Sequence, residues 1–100
     1  MTLKITNNYG VFEIKGNIVG ANTLLLETHF EYLFEQLAFT SNQVILSLHK
    51  VTNIDAYGIH ILKVLYKKAM RSNLNLCIIG KENKIVRDAF RRISYIKRYN

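Results

Sequence analysis

The apolar positions along the chain change period several times, and each change marks an element. Leu3-Lys4-Ile5 and Val11-Phe12-Glu13-Ile14-Lys15 alternate apolar and polar residues, as half-buried strands do. Asn7-Asn8-Tyr9-Gly10 between them is turn chemistry, because Asn and Gly tolerate positive φ. The pair reads as a β-hairpin, with Gly16-Asn17 ending its second strand. From Ala21 to Leu37 the period becomes helical, with Leu26, Phe30, Leu33 and Leu37 on one stripe. Phe39 to Gln43, with Thr40-Ser41-Asn42, reads as a connection. Val44-Ile45-Leu46-Ser47-Leu48 is a nearly continuous apolar run, as expected of a strand buried on both faces of a parallel sheet. His49-Lys50-Val51-Thr52 then leads into Asn53-Ile54-Asp55-Ala56-Tyr57-Gly58-Ile59. A helix follows from Tyr57 to Arg71, burying Ile61, Leu62, Leu65 and Ala69 and ending at Ser72-Asn73. Leu74 to Ile79 is a further strand closed by Gly80. Glu82 to Arg92 is a third helix, with Ile85, Val86, Ala89, Phe90 and Ile93 inward. Residues 94–99 read as a short last strand or a frayed tail.

The order β-β-α-β-α-β-α predicts an α/β fold. A small mixed sheet, with an antiparallel edge hairpin and its remaining strands parallel, carries helices packed on it. The 100 residues read as a single domain, residues 1–100, and 49% hydrophobic content supplies a core. No apolar stretch approaches the roughly 20 residues that a membrane span requires, and residues 1–5 lack the apolar region of a signal peptide. Cys77, the single cysteine, has no partner for an internal disulfide and alternates into a strand interior, which fits a reducing cytoplasm.

Charge changes the picture more than composition does. The net charge is +7, but residues 1–59 hold three basic and five acidic residues, and residues 60–100 hold eleven and two. A basic half points to an acidic protein surface, an anionic lipid or a nucleic acid. His60, Lys63, Lys67 and Arg71 form a basic stripe on the second helix, and Lys84, Arg87 and Arg91 face outward on the third. Glu27, Glu31 and Glu35 form an acidic stripe on the first helix, which reads as a solvated face with room for a basic partner. Tyr95 and Tyr99 stand near the basic tail, but no nucleic-acid motif accompanies them, so nucleic-acid binding is not expected.

Asp55 falls where an N-cap belongs, at an exposed strand-to-helix corner whose first N–H groups are unpartnered. A loop held on a rigid scaffold often carries recognition. The partner-binding candidates are therefore Asp55, Ala56, Tyr57, Gly58, Ile59, His60, Lys63 and Lys67. Catalytic chemistry is not expected. His29, His49 and His60 have no metal-ligand spacing. Gly16-Asn17-Ile18-Val19-Gly20 lacks the lysine and hydroxyl of a phosphate loop. Asp55 has no acidic neighbour in sequence. No metal, cofactor or catalytic residue is assigned.

The element order, the length and the corner Asp55-Ala56-Tyr57-Gly58-Ile59 together resemble a STAS domain. This is the family of bacterial anti-sigma factor antagonists, also found in anion-transporter tails and lipid-transport ABC complexes. Val44–Leu48 resembles its central strand, and Leu74–Gly80 the strand after its second helix. In the family the corner reads Asp, Ser, Ser or Thr, Gly, Leu, and a hydroxyl there is phosphorylated by an anti-sigma kinase. Here Ala56 and Tyr57 hold both hydroxyl positions, and Val19 replaces the acidic residue of a Gly-x-Leu-Asp pattern. The resemblance implies a cytoplasmic, non-enzymatic regulatory module that keeps the scaffold without the serine switch. Its implied partner is an anti-sigma or histidine-kinase-like ATPase. The alternative is an accessory subunit of a lipid-transport ABC complex, bound to its ATPase at the inner face of the membrane.

Overall fold

The computed structural model describes residues 3–8, 10–37 and 43–91. β1 (Leu3–Asn8) and β2 (Val11–Ile18) pair antiparallel as the hairpin. Its turn is held by Asn7, whose side-chain oxygen accepts from the Gly10 N–H at 3.1 Å. α1 (Asn22–Leu37) crosses to β3 (Gln43–Ile54), α2 (Ala56–Arg71) to β4 (Asn75–Ile79), and α3 (Lys84–Arg91) follows. Among the described residues the sheet has four strands in the order β1-β2-β3-β4, with β2–β3 and β3–β4 parallel. The predicted mixed α/β architecture is the one observed.

One face of the sheet carries the core. Phe12, Ile14 and Ile18 meet Leu26, Phe30 and Phe34 of α1, and the Phe12 and Phe30 rings lie edge to face at 5.7 Å. α2 adds Ile61, Leu62, Leu65 and Ala69, all buried as the helical period predicts. Asn73, just past the Ser72 C-cap, takes φ 59°, the left-handed step predicted for it.

Both long strands run further than the sequence pattern indicates. β2 continues through Gly16-Asn17 to Ile18, and β3 continues through the polar His49–Asn53 stretch to Ile54. The reason is two register shifts. Glu13 pairs with Ser47 but Lys15 with Lys50, and Gly16 pairs with Val51 but Asn17 with Asn53. Each shift places one extra residue on β3, the signature of a β-bulge. The buried positions of β3 therefore step from Leu48 to Val51 to Ile54 instead of every second residue.

β4 pairs with Gln43–Ser47, and among the described residues no strand pairs with the outer edge of β3 beyond Ser47. Asn83 covers it. Its amide nitrogen donates to the carbonyls of Leu48 (3.3 Å), His49 (3.2 Å) and Val51 (2.8 Å). Its oxygen accepts from the Ile85 N–H at 3.0 Å, which caps α3. A side chain that satisfies backbone groups at a sheet edge protects it from foreign pairing.

Three inward assignments change. Ile85 is 39% exposed, because α3 turns Val86 and Ala89 inward instead. Cys77 is half-buried, since it points away from the face that Leu76 and Ile78 share. Ile45 is half-buried while Ser47 is buried, so β3 is not uniformly enclosed. Tyr9, the 39–42 connection, Ile93, the 94–99 segment and the side chain of Leu37 lie outside the described residues.

Candidate functional site

Asp55 forms the joint between β3 and α2. It is the N-cap of α2, with extended backbone at φ −100°, and its Oδ1 accepts from the Gly58 N–H at 2.8 Å. Its other oxygen, Oδ2, accepts from the Gly20 N–H at 3.0 Å. The Asp55 N–H in turn donates to the Ile18 carbonyl at 3.4 Å. One side chain thus fixes the first turn of α2 to the connection between β2 and α1. Capping was legible from sequence, whereas the tie to Gly20 was not, because it depends on the parallel pairing of β2 and β3.

Gly58 is buried against that same connection. A Cβ there would fall on the Ile18 carbonyl oxygen and lie 2.9 Å from Ile54 Cγ2. The glycine lets α2 approach the ends of β2 and β3, so its role is steric. Ile59 is buried too and anchors the first turn.

The partner-binding candidates therefore divide. Asp55, Gly58 and Ile59 hold the corner, while Ala56, Tyr57 and His60 are exposed. Lys67 is exposed and Lys63 half-buried further along α2. Tyr57 is 67% exposed at the tip of the helix. Beside it Gly20, Ala21, Thr23 and Leu24 complete an open depression of about 460 Å³. Leu24 and Leu25 are 66% and 63% exposed, large apolar side chains at the start of α1. The sequence reading missed them, since it followed only the inward stripe of that helix. The run Leu24-Leu25-Leu26 was the available signal, as three adjacent leucines exceed what one helix face can bury.

The electrostatics near the site also differ from expectation. The acidic stripe of α1 is not simply solvated. Lys68 Nζ lies 2.9 Å from Glu31 and 3.8 Å from Glu27, tying α2 to α1. The hydrogen bond to Glu31, followed by attraction to Glu31 and Glu27 against the opposing desolvation, raises the Lys68 pKa. Among the described residues the basic stripes of α2 and α3 sit on helices with different main neighbours: α2 packs mostly on α1, with β4 and β3 next, and α3 packs mostly on β3. The arrangement offers an apolar tip with a basic flank, which suits binding of a protein surface.

A STAS domain family model matches residues 1–97. No curated protein matches the sequence. Among solved structures, an anti-sigma factor antagonist from Mycobacterium paratuberculosis superposes with a TM-score of 0.68 at 18% identity, over 98% of this chain and 81% of that one. Mglu superposes with a TM-score of 0.62 at 13% identity, over 80% of this chain and only 20% of that one. At these identities the structures speak for the fold, and the family model speaks for descent: the chain belongs to the STAS domain family.

Proposed function

We propose that this protein is a non-enzymatic regulatory module that binds a protein partner through the α2 corner, without a serine phosphoswitch. Ala56 and Tyr57, with Leu24 beside them, form the contact surface. His60, Lys63 and Lys67 form its basic flank, and Asp55, Gly58 and Ile59 hold the corner in place. The observation that carries this reading is Tyr57, a large amphipathic ring exposed at the tip of a helix whose base is clamped. Rings of this kind are enriched at interface hot spots. The antagonist-like fold supports a regulatory partner, an anti-sigma or histidine-kinase-like ATPase in a cytoplasmic setting. Ala56 has no hydroxyl, and Tyr57 offers a serine kinase no aliphatic one.

The test is affinity capture from the native lysate with wild-type protein and with Tyr57→Ala. One regulatory protein should be recovered by the wild type, and the variant should bind it about 1–3 kcal/mol more weakly, mainly through faster dissociation. Equal binding by both proteins would remove the corner from the interface. Recovery of an ABC transporter ATPase would favour the transport branch of the family. Incubation with a serine-kinase anti-sigma factor should leave residues 55–58 unmodified by mass spectrometry.

A further inference from the structure

Lys4, Lys15 and Lys50 are the three basic residues of residues 1–59. They lie far apart in sequence, yet the sheet register sets them side by side. Lys4 stands opposite Lys15 across β1–β2, and Lys15 opposite Lys50 across β2–β3. All three are exposed. Partners across neighbouring strands project from the same face, and the strands are about 4.8 Å apart. The three side chains therefore form one rank across the sheet. Ile14, the neighbour of Lys15, is buried in the core shared with α1. The rank accordingly stands on the opposite face, away from α1.

Like charges directly opposite on adjacent strands work against a sheet. Glu13, on the same face, offsets part of the charge by lying 3.7 Å from Lys50. α1, on the other face, carries Glu27, Glu31 and Glu35. α2, packed beside α1, brings Lys68 to Glu27 and Glu31, so the carboxylates of that face are partly neutralised, whereas the lysine rank has only Glu13 close by.

We propose that the Lys4–Lys15–Lys50 face docks on an anionic membrane surface. A rank of ammonium groups on long, flexible side chains can reach one plane of headgroup phosphates. The rank contains no arginine for bidentate base contacts and no aromatic ring for stacking, which sets it apart from a nucleic-acid surface. Each lysine near an anionic leaflet contributes roughly fivefold in partitioning, and salt screens the attraction.

Flotation with two vesicle types tests this, one of phosphatidylcholine alone and one with phosphatidylglycerol added. The protein should bind only the second and release as salt is raised. Replacing the rank together, by Lys4→Gln, Lys15→Gln and Lys50→Gln, should weaken binding by about tenfold or more. Replacing Lys63 and Lys67 by Gln should weaken it far less. Lys15→Glu supplies a variant expected to fold, because a carboxylate between two ammonium groups favours the sheet, and it should lose binding as well. Circular dichroism checks that each variant is folded. Unchanged binding by the folded rank variants, or an equal loss in the α2 variant, overturns the proposal. So does a duplex DNA that the protein binds more tightly than the vesicles through the same three lysines.

Discussion

At the scale of single residues, Asp55 does more than a cap requires. Its two carboxylate oxygens accept from two backbone N–H groups, one in the first turn of α2 and one in the connection between β2 and α1. Asp55→Ala leaves both donors unpartnered at a half-buried position, and should cost about 1–3 kcal/mol of unfolding free energy. Asp55→Asn keeps one acceptor oxygen and turns the other into a donor facing an N–H, so it should fall between Ala and wild type. Denaturant melts of the three proteins check the order. An Asn variant as stable as wild type would mean that the Gly20 contact contributes nothing. Sequence showed Asp55 as a cap because Asp before a helical period is a local signal. The contact with Gly20 is long-range and left no local signal. Gly58 is similar: its place in the motif was visible, but its steric reason lies in the Ile18 carbonyl.

At the scale of elements, α1 and α2 were legible nearly to the residue, because their apolar period persists over several turns, whereas the short α3 begins at Lys84, two residues after the expected Glu82. The ends of β2 and β3 were not legible, because two bulges break the period of two on which strand reading depends. The polar run His49-Lys50 looks like a loop, yet the carbonyls of Leu48, His49 and Val51 in and around it are engaged by Asn83. This assigns Asn83 two tasks, capping α3 and closing the edge of β3. The variants separate them. Asn83→Asp keeps an acceptor for the Ile85 N–H but turns a carboxylate toward three carbonyls. Asn83→Ala loses both functions and should cost about 1–3 kcal/mol. The expected order of thermal stability is wild type, then Ala, with Asp no better than Ala despite its superior capping. An Asp variant close to wild type would show that capping alone matters.

At the scale of the whole molecule, the net charge of +7 and its stripes along the helices were readable, but the pairing between helices was not. Lys68, left out of the predicted basic stripe, joins α2 to the acidic face of α1. Its raised pKa gives the sign of a pH effect. Stability from this contact is fully present below the ordinary lysine value of 10.5 and is lost as pH rises through the raised value. Lys68→Met should therefore be less stable than wild type at neutral pH, by less than about 1 kcal/mol for a largely surface pair. The two proteins should converge under strongly alkaline conditions, in melts recorded across pH. The clamp at Asp55 has a further consequence, for the timing of competence. The Gly20 and Gly58 amides meet on one carboxylate only after β2 and β3 have aligned. The tip that carries Tyr57 therefore cannot mature before the centre of the sheet, nor fray without it. In native-state hydrogen exchange, both glycine amides should open together with β3 and not with the helix ends. A partner that grips Tyr57 would then, in effect, inspect whether the chain has finished folding.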